Sequence, residues 1–247
     1  MGFPAASHSV GPTGGNRRVF NEDTMEKELD AIFTKTIETH FPTRTGITKA
    51  DYLDKFKEML TKEIIDAPKL DIDKGNLATY MKLSVLIMAM VKLYKEIGLS
   101  EYEIGEFIYK TANEYYRLSP IKKWIQFKLF FSKLNKRQII KRQEISEQHE
   151  NGINGFKIRY MEGTNQNEFG VDYLKCGICD YFARRGMFEY VKYCCLVDYA
   201  IMKNMGISFS RTTTLGNGGK KCDFRFAKQG KIEEGWPPTN LKEFNRD

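Results

Sequence analysis

Cysteine is missing from the first 175 residues of this 247-residue chain, and all five cysteines fall between positions 176 and 222. Histidine is nearly as scarce. The three histidines, His8, His40 and His149, leave little material for a serine–histidine triad. No Gly-x-x-x-x-Gly-Lys-Ser/Thr loop and no nucleotide-binding glycine fingerprint occurs, which argues against a dedicated nucleotide site. The longest apolar stretch, residues 83–91, lies between Lys82 and Lys92. It is far shorter than the roughly 20 residues a membrane-spanning helix needs. The N-terminus has no basic region followed by an apolar run, so no secretory signal is expected. An odd number of cysteines without such a signal predicts reduced thiols and a cytoplasmic protein.

Acid is absent from residues 117–142, although nine lysines and arginines lie there. That one stripe accounts for the net charge of +7 and leaves the rest of the chain near neutral. Pro120 is expected to open a basic helix with Trp124, Phe127, Phe131 and Leu134 on one face. Such a helix either packs on the core with its lysines solvated or recruits an anionic partner, whether substrate, carrier protein or lipid headgroup. Aromatics at helical spacing do not read as a stacking platform for nucleic acid.

The remaining pattern divides the chain. Residues 1–15 lack periodicity and read as an unstructured or non-native lead-in. Residues 16–150 read as helices, with apolar positions three and four apart. One helix covers residues 22–40. A second is capped by Thr48, and residues 68–75 form a linker. A third, over residues 76–97, is apolar on most faces and stops at Gly98. A fourth runs to about Leu118, with Ser100 and Glu103 forming a capping box. Residues 151–247 read as an α+β region. Phe156, Ile158 and Tyr160 alternate as in a strand, and residues 163–170 read as a polar turn. Residues 171–185 and 187–205 read as helices split at Gly186. Residues 207–226 read as a hairpin closed through Gly216–Gly219. The expected fold is α+β, a helical region followed by a small antiparallel sheet packed with helices.

The residues able to do chemistry collect in this last third. Cys176 and Cys179 are three apart on an expected helix, and Cys195 and Asp198 stand in the same relation on the next, so each pair shares a face. On the hairpin, Arg211 and Thr213 are expected on one side of a strand and Thr212 and Thr214 on the other. Cys222 and Asp223 are expected on opposite sides of the partner strand. One thiol could act as a nucleophile, given a cation to lower its pKa and a carboxylate to orient or relay a proton. Several thiols could instead hold zinc or another thiophilic metal, although the usual second Cys-x-x-Cys pair is missing. They could also be core residues.

Three ordered stretches carry a resemblance. They are Phe169-Gly170-Val171-Asp172-Tyr173 with Cys176, then Cys195-Leu196-Val197-Asp198-Tyr199, then Arg211-Thr212-Thr213-Thr214-Leu215-Gly216 leading to Lys221-Cys222-Asp223-Phe224-Arg225-Phe226. Together they resemble the L-2-amino-thiazoline-4-carboxylic acid hydrolase-like family. The resemblance implies hydrolysis of a carbon–nitrogen bond in a small cyclic amidine or amide-like substrate, one that carries a carboxylate. It marks Cys176, Cys195, Asp198, Arg211, Cys222 and Asp223 as site residues. Catalytic roles are expected for Cys176, Cys195, Asp198 and Cys222 and substrate binding for Arg211, Thr214 and Asp223, with no cofactor expected. The closing stretch is also similar to vinyl-reductase-like ligand-binding domains, which keeps a non-catalytic binding module, or a cysteine-ligated metal protein, as the alternative.

Overall fold

The computed structural model describes residues 31, 33–35, 37, 46–65, 67, 76–150, 155–165, 167–233 and 235–238. The expected lead-in and the linker at residues 68–75 lie outside them. So does most of the first expected helix, of which residues 31, 33–35 and 37 are helical.

Helix α1 (Lys49–Ile65) starts where Thr48 Oγ1 accepts the Asp51 amide at 3.2 Å. Its buried Tyr52, Phe56, Leu60 and Ile64 recur every fourth residue, so they form one stripe, and this stripe packs on α2 (Asn76–Glu96). Helix α2 is apolar on most faces because it is central, touching helices on several sides. Gly98, at φ +79°, takes the chain out of it in the left-handed conformation that glycine adopts without strain. Helix α3 (Glu101–Tyr115) begins with the expected Ser100–Glu103 capping box but ends three residues before Leu118.

The basic segment is two helices, not one. Helix α4 (Pro120–Phe130) stops at Phe131, and Ser132 caps α5 (Lys133–Gln148) by accepting the Asn135 amide at 3.1 Å. The break changes which side chains face inward. Phe130 and Phe131 are buried, whereas Trp124 and Leu134 are exposed, so the expected four-residue core face does not exist. Lys136 also leaves the solvated stripe. It lies over the Phe169 ring and donates to the Glu168 carbonyl at 3.3 Å.

Four antiparallel strands follow in the order β1–β2–β4–β3: β1 (Lys157–Glu162), β2 (Glu168–Lys175), β3 (Ser208–Ser210) and β4 (Cys222–Ala227). This is the expected α+β fold. The inner sheet face carries Phe169, Val171 and Tyr173 of β2 opposite Phe226, Phe224 and Cys222 of β4. Phe130 of α4 meets Phe169 and Phe226 at ring separations of 5.2 and 5.1 Å, which fixes α4 on the sheet.

Strand β2 corrects two expectations at once, because it occupies part of the expected polar turn and the first third of an expected helix. Phe169 through Tyr173 are all buried, so the alternation that marks a half-exposed strand is lost. On the outer face, buried Asp172 pairs with Lys221 at 2.6 Å and Arg225 at 2.8 Å. Gly170 is required beside them. A Cβ there would lie 2.8 Å from the Phe224 carbonyl oxygen and 2.9 Å from the Arg225 side chain.

Only a short helix, α6 (Gly177–Ala183), remains of that expected helix. Helix α7 (Val191–Met205) follows a single 3₁₀ turn and ends at Gly206, φ +72°. It packs against α2, α3, α4 and β3. No helix of the described residues is long and apolar enough to cross a membrane.

Candidate functional site

A cavity of about 70 Å³ opens between α2, the end of β2, α7 and β4. A single water needs roughly 10–15 Å³ on this measure, so the space holds several waters or a small molecule. Four of the five cysteines line it: Cys176, Cys194, Cys195 and Cys222. Asp198 is the charged residue among the described lining, which is otherwise aliphatic, aromatic, thiol or hydroxyl.

Each element delivers its side chain for a local reason. Cys176 sits at the residue before α6, where β2 turns into the helix, and not within a helix as expected. Its hydrogen bond with Cys179 and then its burial hold the thiol well above the usual range. Cys195 and Asp198 lie one turn apart on α7 and so share the face turned to the cavity. Cys222 starts β4 and accepts the Leu215 amide at 3.2 Å. Burial pushes its thiol up to about 12. Burial also pushes Cys194 and Cys195 well up, although the Arg211 charge opposes this at Cys195. All five cysteines are free thiols. Among the described residues, no group of three or more His, Cys, Asp and Glu side chains is arranged to hold a metal ion.

Arg211 stands behind the cavity wall. Its side chain is 3% exposed; Nη1 donates to Asp198 Oδ2 at 2.8 Å and Nη2 donates to the Cys195 carbonyl at 3.0 Å. Its guanidinium lies over the rings of Tyr199, Phe224 and Phe209, at 4.8, 5.5 and 5.8 Å. The planar fork thus ties the hairpin to α7 at both Asp198 and Cys195. Asp198 keeps 26% of its side chain open. Burial raises its carboxyl to about 6, outweighing the opposing effect of Arg211. Tyr80 and Tyr173 line the same space as neutral phenols, their ionisation pushed up first by burial.

The loop after β3 departs from the expected alternation. Arg211 and Thr214 are buried, whereas Thr212 is exposed. Asp223 causes this. Its Oδ1 accepts the Thr212 and Thr213 amides at 2.9 and 2.8 Å, and its Oδ2 accepts the Thr212 hydroxyl at 2.5 Å. Burial works against the Asp223 charge, but these donors hold its pKa below the usual carboxylate range. Thr214 caps the 3₁₀ turn Leu215–Asn217, its hydroxyl accepting the Asn217 amide at 3.1 Å. Thr214 and Asp223 therefore shape the loop and are not among the cavity lining.

Gly216 then lies against α7, where a Cβ would come 2.8 Å from Val191 Cγ1 and 3.5 Å from Cys195 Sγ. Gly216→Ala is expected to push this turn off α7 and to cost about 1–3 kcal/mol, the usual penalty of overpacking. A denaturant midpoint equal to the parent's would show that the turn gives way freely.

The sequence reading missed three lining residues. Tyr173 was hidden inside the misread strand. Tyr80 lies on α2, whose apolar surround carried no chemical signal. Cys194 neighbours Cys195 but lies just outside the stretch that carries the resemblance. His149 is exposed at the end of α5, outside the cavity lining.

Fold and site together define an α+β protein that gathers thiols and one carboxylate around a small, largely apolar cavity. Residues 80–226 match the family described as L-2-amino-thiazoline-4-carboxylic acid hydrolase. The match covers more than half of the chain, and the chain belongs to this family, which is named for a hydrolase. No curated protein and no solved structure matches the chain.

Proposed function

We propose that this protein hydrolyses a carbon–nitrogen bond of a small cyclic amidine or amide-like molecule held in the cavity, with Cys195 as nucleophile and Asp198 as its base. The observation that carries the reading is the shared face of α7: Cys195 and Asp198 line one cavity, and Arg211 binds the Asp198 carboxylate and the Cys195 backbone. Membership of the family supports the reaction class.

In the proposed reaction the Cys195 thiol gives its proton to Asp198 as its sulfur adds to the electrophilic carbon. Asp198 passes that proton to the ring nitrogen as the carbon–nitrogen bond breaks, releasing an amine and leaving the carbon attached to sulfur. Water then adds to that carbon with Asp198 as base, and sulfur departs as the thiol, reprotonated by Asp198. A thiol held protonated at rest suits this order, because it ionises only as it attacks.

Asp198 is the charged residue among the described lining, so an amidine, cationic when protonated, is the substrate group it complements. A carboxylate on the same substrate would stay clear of the lined space. Arg211 is then a positioning residue, not the carboxylate binder. A second reading, a small-molecule-binding module, draws on the protonated thiols and predicts binding without turnover.

The pH dependence tests Asp198 as the base. Asp198 must be ionised to act as base, so kcat/KM is expected to rise with pH along an acid limb at about 6. Stability has the opposite sign. A carboxyl whose folded pKa lies above its unfolded value favours the fold below the unfolded pKa and loses that contribution as pH rises through about 6. A flat kcat/KM between pH 5 and 7, on the order of one unit either side of that value, would remove Asp198 as the base.

A further inference from the structure

We propose that the outer face of α4, continued onto the first turns of α5, docks on an anionic lipid bilayer. Ten large hydrophobic residues are exposed among the described residues, and six fall between positions 121 and 140: Ile121, Trp124, Ile125, Leu129, Leu134 and Ile140. On α4, Ile121, Trp124 and Ile125 fall within one broad face, with Leu129 at its edge. Ile121 and Trp124 are 73% and 62% exposed, values unusual for such side chains. Phe130, buried against the sheet, anchors the opposite side of the helix and turns this face away from the protein.

Charge selects the occupant. Lys122, Lys123, Lys128, Lys133, Arg137 and Lys141 are exposed on the same two helices, and no acid occurs from residue 117 to 142. Lys128 lies 5.9 Å from the Trp124 ring, so cation and aromatic occupy the same face. An apolar face rimmed by lysine, with a tryptophan at its edge, is the composition of a helix lying in a headgroup layer. A second copy of the chain would set two basic stripes against each other. A nucleic acid would satisfy the lysines but leave the isoleucines and leucines in water.

The test uses the full chain and two vesicle types, pure phosphatidylcholine and an equal mixture of phosphatidylcholine and phosphatidylserine. Sedimentation with the mixed vesicles is expected to exceed that with the neutral ones by at least about tenfold and to be reversed by salt, since each basic residue near an anionic surface adds several-fold. Trp124 emission should shift to the blue on binding. Trp124→Phe should remove the shift, leaving Trp236, which packs against Tyr102 and Tyr109. Neutralising Lys122, Lys128 and Lys133 to glutamine should lower partitioning roughly a hundredfold. These side chains are exposed, so the variants should keep the parent's circular dichroism. The proposal is overturned by equal binding to both vesicles, or by binding to neither. It is also overturned by preferential capture by duplex DNA or RNA at the same salt, or by a dimer that Trp124→Ser dissolves.

Discussion

Replacing Cys195 with serine is expected to leave the fold intact and to lower turnover by roughly 10³–10⁶-fold, the range seen when a lone nucleophile is removed. The substitution is small and the site borders a cavity, so there is room for the change. A hydroxyl is far harder to ionise than a thiol, and nothing in the described lining besides Asp198 is placed to take its proton. Cys176→Ser and Cys222→Ser are expected to cost much less. Cys176 bonds to Cys179 and Cys222 to the Leu215 amide, so these thiols support the wall of the site. If Cys195→Ser keeps most of the parent's kcat while Cys176→Ser loses it, the nucleophile has been misassigned but the cavity stands. If neither loses activity, the thiol mechanism fails.

The second large effect concerns Arg211 and Asp198, and the two residues should not respond alike. Asp198→Asn leaves the guanidinium buried under three rings without its counterion, and arginine cannot shed its charge. Burial already disfavours the Asp198 charge and the asparagine carbonyl can still accept from Nη1, so the cost in stability should be about 1–3 kcal/mol. Arg211→Met strands the carboxylate instead, but Asp198 can take a proton, so this variant should lose less. The double variant should lose less than the two single losses added, because removing the second charge relieves the first. Kinetics complete the comparison. Asp198→Asn should lower kcat by roughly 10²–10⁴-fold at temperatures where it is folded. Arg211→Lys keeps a charge but cannot reach both Asp198 and the Cys195 carbonyl, so it should lose stability and part of kcat with little change in KM. A rise in KM for a carboxylate substrate, with stability unchanged, would instead return Arg211 to a substrate-binding role.

What could be read from the sequence followed locality. Thr48 and the Ser100–Glu103 box sit within one turn of the helices they start, so their signals need no distant partner. The same holds for Gly98 and Gly206 at helix ends. Strand β2 was illegible because both of its faces are covered, and the partners that make Asp172 tolerable there, Lys221 and Arg225, come from some fifty residues away. The break between α4 and α5 did leave a local trace, the Ser132 cap, but the unbroken run of lysines and aromatics masked it. The site was legible in its membership more than in its geometry. Cys195 with Asp198 follows from helix spacing, and their meeting with Arg211 from packing a helix on a hairpin. That Arg211, Thr214 and Asp223 are occupied with protein partners depends on how residues 211–219 leave the ladder, and alternation alone cannot convey that.

Rapid acid quenching of the protein with L-2-amino-thiazoline-4-carboxylic acid and related cyclic amidines, followed by peptide mapping by mass spectrometry, tests the proposed mechanism most directly. During turnover, the account predicts a substrate-derived adduct on the peptide carrying Cys195, formed and lost at the rate of product release and missing from Cys195→Ser. Turnover with no adduct on any cysteine, or an adduct that forms at full rate in Cys195→Ser, would contradict it.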